Sequence, residues 1–258
     1  MVNAIIFDCD GVIADTERFG HLPAFNQTFK EFGLPLQWSE EEYGVKLKIG
    51  GGKERMASLL TDEFVREAQL PTDVEEQRDM LAAWHKRKTA IFKEIVHSGR
   101  LPGRPGVARI VEEAITNRWK LAVASTSAEE SVRAILEHVV GEEDAAHVEV
   151  LAGDIVPKKK PAPDIYLLTM EHLQTRPEEA IVIEDSRNGL LAAIGAGFRC
   201  VVTLSSYTVH EDMQEAVLVV SNLGDPGNPM HIIANRGQAT PRDFITLSDL
   251  QACLLPMN

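Results

Sequence analysis

The chain has 258 residues, 44% of them hydrophobic and 25% charged, the proportions of a soluble globular protein. That length can bury a sizeable core without disulfides or a structural metal. Its 26 Lys+Arg against 39 Asp+Glu leave a formal net charge of −13, so nucleic acid and membranes are not expected partners. Cys9, Cys200 and Cys253 are scattered and odd in number, matching neither a disulfide framework nor a zinc CxxC pattern. They fit a reducing compartment. No signal peptide is expected ahead of the first acidic cluster, although a processed transit peptide stays open.

The first element is a short apolar run, Ala4 to Phe7, ending at Asp8-Cys9-Asp10-Gly11. Residues 16 to 98 then read as helical, with apolar positions at helical spacing and one long amphipathic pattern over Asp73–Val96. Leu101 to Gly106 is Pro/Gly punctuation suited to a linker. Beyond it, Val- and Ile-rich runs at Lys120–Ala124, Ala180–Ile183, Arg199–Thr203 and Ala216–Val220 lack alternation, as strands buried on both faces do. Helical patterns over Gly106–Asn117, Ala128–Val140, Pro163–Leu173 and Asn188–Ala196 lie among them. A last strand is expected at Phe244–Thr246 and a helix near Ser248–Leu255. The expected fold is α/β: a Rossmann-like parallel sheet with helices on both faces, from residues 1–15 and 99–258. An all-helical insert, residues 16–98, interrupts it after the first strand.

Four polar segments stand at or just beyond strand carboxyl ends, the edge where open parallel sheets bind ligands. They are Asp8/Asp10, Ser125, Lys160 and Glu184-Asp185. Singly, each has a bland reading: an Asx turn, a helix cap or a solvated loop lysine. Together they form a chemical set. Carboxylates gathered at one edge repel unless a divalent cation sits among them, and oxygen-only ligands suit Mg²⁺. A cation, a lysine and a hydroxyl suit a phosphoryl group, whose transfer depends on positioning and charge neutralisation. A carboxylate beside the metal can attack phosphorus, and a second one two residues on can give and take a proton.

FDCDGV, STS, KKKPAPDIY and IVIEDSRNGLLAA, in that order, closely resemble the haloacid dehalogenase-like hydrolase superfamily. The resemblance implies that Asp8 is the nucleophile, Asp10 the general acid/base, Ser125 a phosphoryl ligand and Lys160 the neutralising cation. It implies Mg²⁺ held by Asp8, Asp10 through its backbone carbonyl, Asp185, and Glu184 directly or through water. The helical insert is similar to the superfamily's C1-type cap. Asp10 with Glu184-Asp185 points to phosphoryl transfer and away from dehalogenation.

DCDGVIADTERFGH, KLKIGGGKERM and AGDIVPKKKPAPDIY further resemble the CbbY-type branch, whose members include phosphatases of xylulose-1,5-bisphosphate, a by-product of rubisco. By that resemblance Glu17, His21, Lys48, Arg55 and the triple glycine Gly50, Gly51 and Gly52 are candidate substrate contacts, and Lys53 and Thr126 are expected beside them. Lys46, Lys48, Lys53 and Arg55 around the glycines read as an anion site on an otherwise acidic chain, against the alternative of a glycine turn leading into a helix with solvated charges. Lys88 joins them, one turn from His85, against the alternative of a solvated lysine. The expected partner is a small phosphorylated sugar, with the protein a monomer in the cytoplasm or plastid stroma. Two other readings remain. A β-phosphoglucomutase-like isomerase shares this core, but Ala128-Glu129 follow the hydroxyl motif where mutases carry basic and amide residues. A phospho-acceptor switch would not want the second Asp.

Overall fold

The computed structural model describes residues 3–49 and 51–256. The chain divides into two compact units, residues 1–15 with 101–258 and residues 16–100. The first unit is a seven-stranded sheet. Its strands are β1 (Ala4–Phe7), β2 (Lys120–Ser125), β3 (Val148–Ala152), β4 (Ala180–Glu184), β5 (Arg199–Thr203), β6 (Leu218–Val220) and β7 (Ile232–Asn235). The spatial order is β3-β2-β1-β4-β5-β6-β7, parallel except for β7, which runs antiparallel to β6.

β1, β2, β4 and β5 form the middle of this sheet, and their Val/Ile-rich runs are buried on both faces. Ala4, Ile6, Ala122, Ala124, Val182 and Val202 pack with helices Asp164–Leu173 and Arg187–Gly195. The alternate residues Ile5, Phe7, Val123, Ile181 and Ile183 are equally buried and point to the other face, as the strand pleat requires. There, helices Val107–Thr116 and Leu247–Cys253 pack against β2, β4 and each other.

Two strands escaped the sequence pattern, and one expected strand is absent. β3 is an edge strand whose run is broken by exposed Glu149, so it lacks the continuous apolar signature of its neighbours. β7 is an exposed edge carrying Ile232 and Ile233. The expected strand at Phe244–Thr246 is not formed: Ile245 N–H donates once to Leu223, without a ladder, and Thr246 caps the last helix. β7 takes the edge position beside β6 instead.

The order reverses between β1 and β4, so their crossovers leave in opposite directions and open a crevice at the carboxyl ends. Asp8 follows β1 there, and its N–H continues the parallel ladder to the Ile183 carbonyl at 2.9 Å. Glu184 ends β4, one strand away.

The second unit contains only helices among its described residues. A π-helical turn, Glu17–His21, runs into Leu22–Glu31. Helix Glu40–Lys46 starts at a Ser39/Glu42 capping box, and Gly52–Ala57 and Asp62–Glu67 follow. The 24-residue helix Val74–His97 is capped by Asp73, which accepts from Glu75 and Glu76 N–H. Phe25, Phe29, Trp38 and Tyr43 form the unit's aromatic core, with ring centroids 4.8 to 6.2 Å apart. No helix among the described residues is long and apolar enough to cross a membrane.

Candidate active site

Lys160 lies in the loop after β3 and is the last of three consecutive lysines; Lys158 and Lys159 are exposed. Its ammonium donates to Asp8 Oδ1 and Glu184 Oε1, each at 2.6 Å, and to the Ala124 carbonyl at 3.1 Å. One cation thus joins the ends of β1, β2 and β4. Burial alone would lower the Lys160 pKa, but Asp8 and Glu184 outweigh it and keep the ammonium charged.

Glu184 is fully buried and satisfied on every side. It accepts from the Tyr166 hydroxyl at 2.5 Å, from Lys160, and from Asp185 N–H at 3.1 Å. Burial, with Glu184 and Asp8 nearby, drives the Tyr166 phenol well above its usual range, so it remains a donor. The carboxylate also presses on helix Arg187–Gly195: a Cβ at Gly189 would stand 2.0 Å from its carboxyl carbon. Gly11 makes the matching approach on the other carboxylate. It has φ of +80°, and a Cβ there would lie 2.0 Å from Asp185 Oδ2.

Ligand oxygens of Asp8, Glu184 and Asp185 all lie within 4.8 Å of one another, and all three residues are buried. Burial raises Asp8 to about 7, helped by Glu184 and Asp10 and opposed by Lys160. Burial likewise pushes Asp185 well up, with Glu184 and Asp8 adding and Ser205 and Arg104 opposing. Three carboxylates with one lysine in contact remain short of positive charge. The oxygen-only donor set fits a divalent cation, which would let Asp8 and Asp185 ionise together.

Asp10 sits outside this triad. Its Oδ2 accepts from the Ser127 hydroxyl, while buried Ser125 turns its Oγ to Ser127 N–H at 3.1 Å. Thr126 lies between them, partly exposed. The sequence pattern singles out Ser125 and Thr126 and passes over Ser127, Tyr166, Gly11 and Gly189. Tyr166 is legible there only as a core position of a helix, and Ser127 only as a cap.

Within the helical unit, Glu17 accepts from the Tyr43 hydroxyl at 2.5 Å, and Arg55 Nη1 lies 3.7 Å from its other oxygen. Arg55 also donates to Tyr43 at 3.1 Å and to the Ile49 carbonyl at 3.0 Å. The alternative of a solvated Lys88 is overturned. Its ammonium is buried over the Phe25 and Phe92 rings, 4.6 and 5.3 Å from their centroids, and bonds His21 Nδ1 at 2.8 Å. His21 stacks on Phe92, and burial, then Lys88 and Arg55, hold its pKa well below 6.5. Gly51 caps helix Gly52–Ala57; Lys48 and Lys53 are exposed. Gly50 lies outside the described residues.

The haloacid dehalogenase-like hydrolase family model matches residues 2–197. The chain belongs to that family. It is an enzyme, a phosphatase. It is 44% identical over 244 residues to a CBBY-like protein of Arabidopsis thaliana, covering 95% of this chain and 76% of that one. A phosphorylated carbohydrates phosphatase of Thermotoga maritima is 31% identical over 76% of this chain and 82% of its own. Among solved structures, a CbbY variant from Rhodobacter sphaeroides in complex with xylulose-1,5-bisphosphate superposes with a TM-score of 0.72. It is 37% identical over 86% of this chain and 95% of its own.

Two outcomes follow from this geometry. Gly189→Ala is expected to displace Glu184 and to cost about 1–3 kcal/mol, the usual penalty of overpacking, read by urea unfolding. A variant as stable as the parent would mean that the Glu184 carboxylate is not held there. His21 binds fewer protons folded than unfolded, so its contribution to stability is intact above pH 6.5 and falls away below it. Its ring resonances should show no titration between about pH 7.5 and 5.5, whereas a midpoint near the free imidazole value would contradict the buried pairing with Lys88.

Proposed function

We propose that the chain is a Mg²⁺-dependent sugar-phosphate phosphatase that works through an aspartyl-phosphate on Asp8, with xylulose-1,5-bisphosphate as substrate. The observation that carries the chemistry is the Lys160 bridge between Asp8 and Glu184 within a buried three-carboxylate cluster. The substrate rests on the similarity to CbbY, whose structure holds that bisphosphate.

Asp8 is the nucleophile: it stands at the end of β1 in the crevice, with one oxygen fixed by Lys160. Asp8, Asp185 and the Asp10 carbonyl would hold Mg²⁺, which when bound supplies charge neutralisation for the phosphoryl group. Glu184 is committed to Lys160, Tyr166 and its neighbouring N–H, and so acts by fixing the lysine. Attack of Asp8 on phosphorus forms the acyl phosphate while Asp10 gives its proton to the departing sugar oxygen. Asp10 then takes a proton from the water that hydrolyses the intermediate, restoring Asp8 and releasing phosphate. The Ser127 hydroxyl on Asp10 Oδ2 orients the other carboxylate oxygen for this exchange. Ser125 and Thr126 supply polar groups for the phosphoryl oxygens. A bisphosphate needs a second cationic anchor, for which Arg55 is the principal candidate and Lys48 and Lys53 the exposed ones.

Phosphate release is to be measured with Mg²⁺ over sugar mono- and bisphosphates, with xylulose-1,5-bisphosphate beside ribulose-1,5-bisphosphate. Preference for the xylulose compound supports the narrow reading; broad monophosphate hydrolysis removes it. Interconversion of monophosphates without release would point to a mutase. Asp8→Asn should abolish turnover with the fold retained, and normal activity in that variant would end the nucleophile assignment. Arg55→Ala should raise KM for the bisphosphate about ten-fold or more, the worth of one charge-assisted bond, with monophosphates less affected. Equal losses on both would remove Arg55 as an anchor.

A further inference from the structure

The Pro/Gly segment at 101–106 reads as plain punctuation, yet it carries an arginine whose side chain reaches the active-site edge of the sheet. Arg104 Nη1 donates to the Gly11 carbonyl at 2.7 Å; Nη2 donates to the Leu204 carbonyl at 2.8 Å and the Ser221 carbonyl at 2.6 Å. Its own N–H donates to the Ile13 carbonyl at 2.9 Å, and neighbouring Gly103 bridges Ala14. These acceptors follow β1, β5 and β6. In the sheet order β1-β4-β5-β6, the guanidinium therefore spans the end of β4, where Asp185 stands. Asp185 and Asp15 both act on its charge.

Gly11 is the point where this grip matters. Its carbonyl is held by Arg104, its N–H donates to the Ala14 carbonyl at 2.8 Å, and its left-handed backbone lies against Asp185. The turn from Asp8 to Gly11 can keep that approach only while its far side is fixed. A planar fork with several donors can grip three carbonyls from three loops; a lysine point charge cannot reproduce that pattern.

We propose that Arg104 is a positioning residue of the phosphatase site: by holding the Gly11 carbonyl it keeps the Asp8–Gly11 turn set against Asp185. The kinetic consequence rests on the phosphatase reading; the structural one rests on the protein alone. A displacement of this turn by a fraction of an ångström acts on in-line attack more than on sugar binding.

The test compares wild type, Arg104→Ala and Arg104→Lys, using phosphate release from the best substrate of the panel and amide hydrogen exchange on the full chain. In Arg104→Ala, kcat should fall about ten- to hundred-fold with KM within about two-fold of wild type. Exchange at Gly11 to Ala14 should accelerate well beyond that of helix Leu247–Cys253. Arg104→Lys should recover less than half of kcat, and it replaces the alanine variant if that one does not fold. A kcat within about two-fold of wild type in the variants overturns the proposal. So does exchange that rises equally across the whole unit, since that marks a general loss of stability. If wild type releases no phosphate from any substrate, the phosphatase reading falls by itself, and exchange at Gly11 to Ala14 still decides the role of Arg104.

Discussion

A single buried ammonium holds the site together. Lys160 meets Asp8, Glu184 and the Ala124 carbonyl, and so joins the ends of three strands through one charge. Without it, two carboxylates would face one another in a region that water does not screen. Desolvation can offset all that the ion pairs of such a cluster return, so the cluster is weak evidence of a stabilising role. Tyr166 and the Asp185 N–H complete the hydrogen bonds of Glu184, leaving Asp8 and Asp185 as the carboxylates with capacity to spare.

The backbone follows from that constraint. Gly189 lets helix Arg187–Gly195 approach Glu184, and Gly11 lets the turn after β1 approach Asp185. Both glycines make room for a carboxylate in a place where a methyl group would stand. Around them the parallel sheet supplies rigidity, because its central strands are packed on both faces and cannot shift independently. Ser127 and Arg104 then fix the two sides of the Asp8–Gly11 turn from different loops. The helical unit holds its own polar network, with Glu17, Tyr43 and Arg55 in one group and His21 and Lys88 in another.

Much of this is legible in the sequence, for a physical reason. Strands buried on both faces must be continuously apolar, so Ala4–Phe7 and Ala180–Ile183 declared themselves, and the acids after them marked the functional edge. The edge strands did not. β3 is interrupted by exposed Glu149, and β7 is as exposed as a loop. Phe244–Thr246 had the composition of a strand but lacked a free partner, since β7 occupies the position beside β6.

The sequence by itself determined the central strands, the main helices and the chemical types: which runs are buried, where the acids, the hydroxyls and the lysines stand along the chain. Those are properties of local composition and period. The tertiary structure decided which members of each group matter. Of three adjacent lysines only Lys160 turns inward, Ser127 takes Asp10 although Ser125 ends the strand, and Arg104 leaves a linker to grip Gly11. Each choice depends on residues about 90 to 150 positions away, a separation that no local pattern can encode.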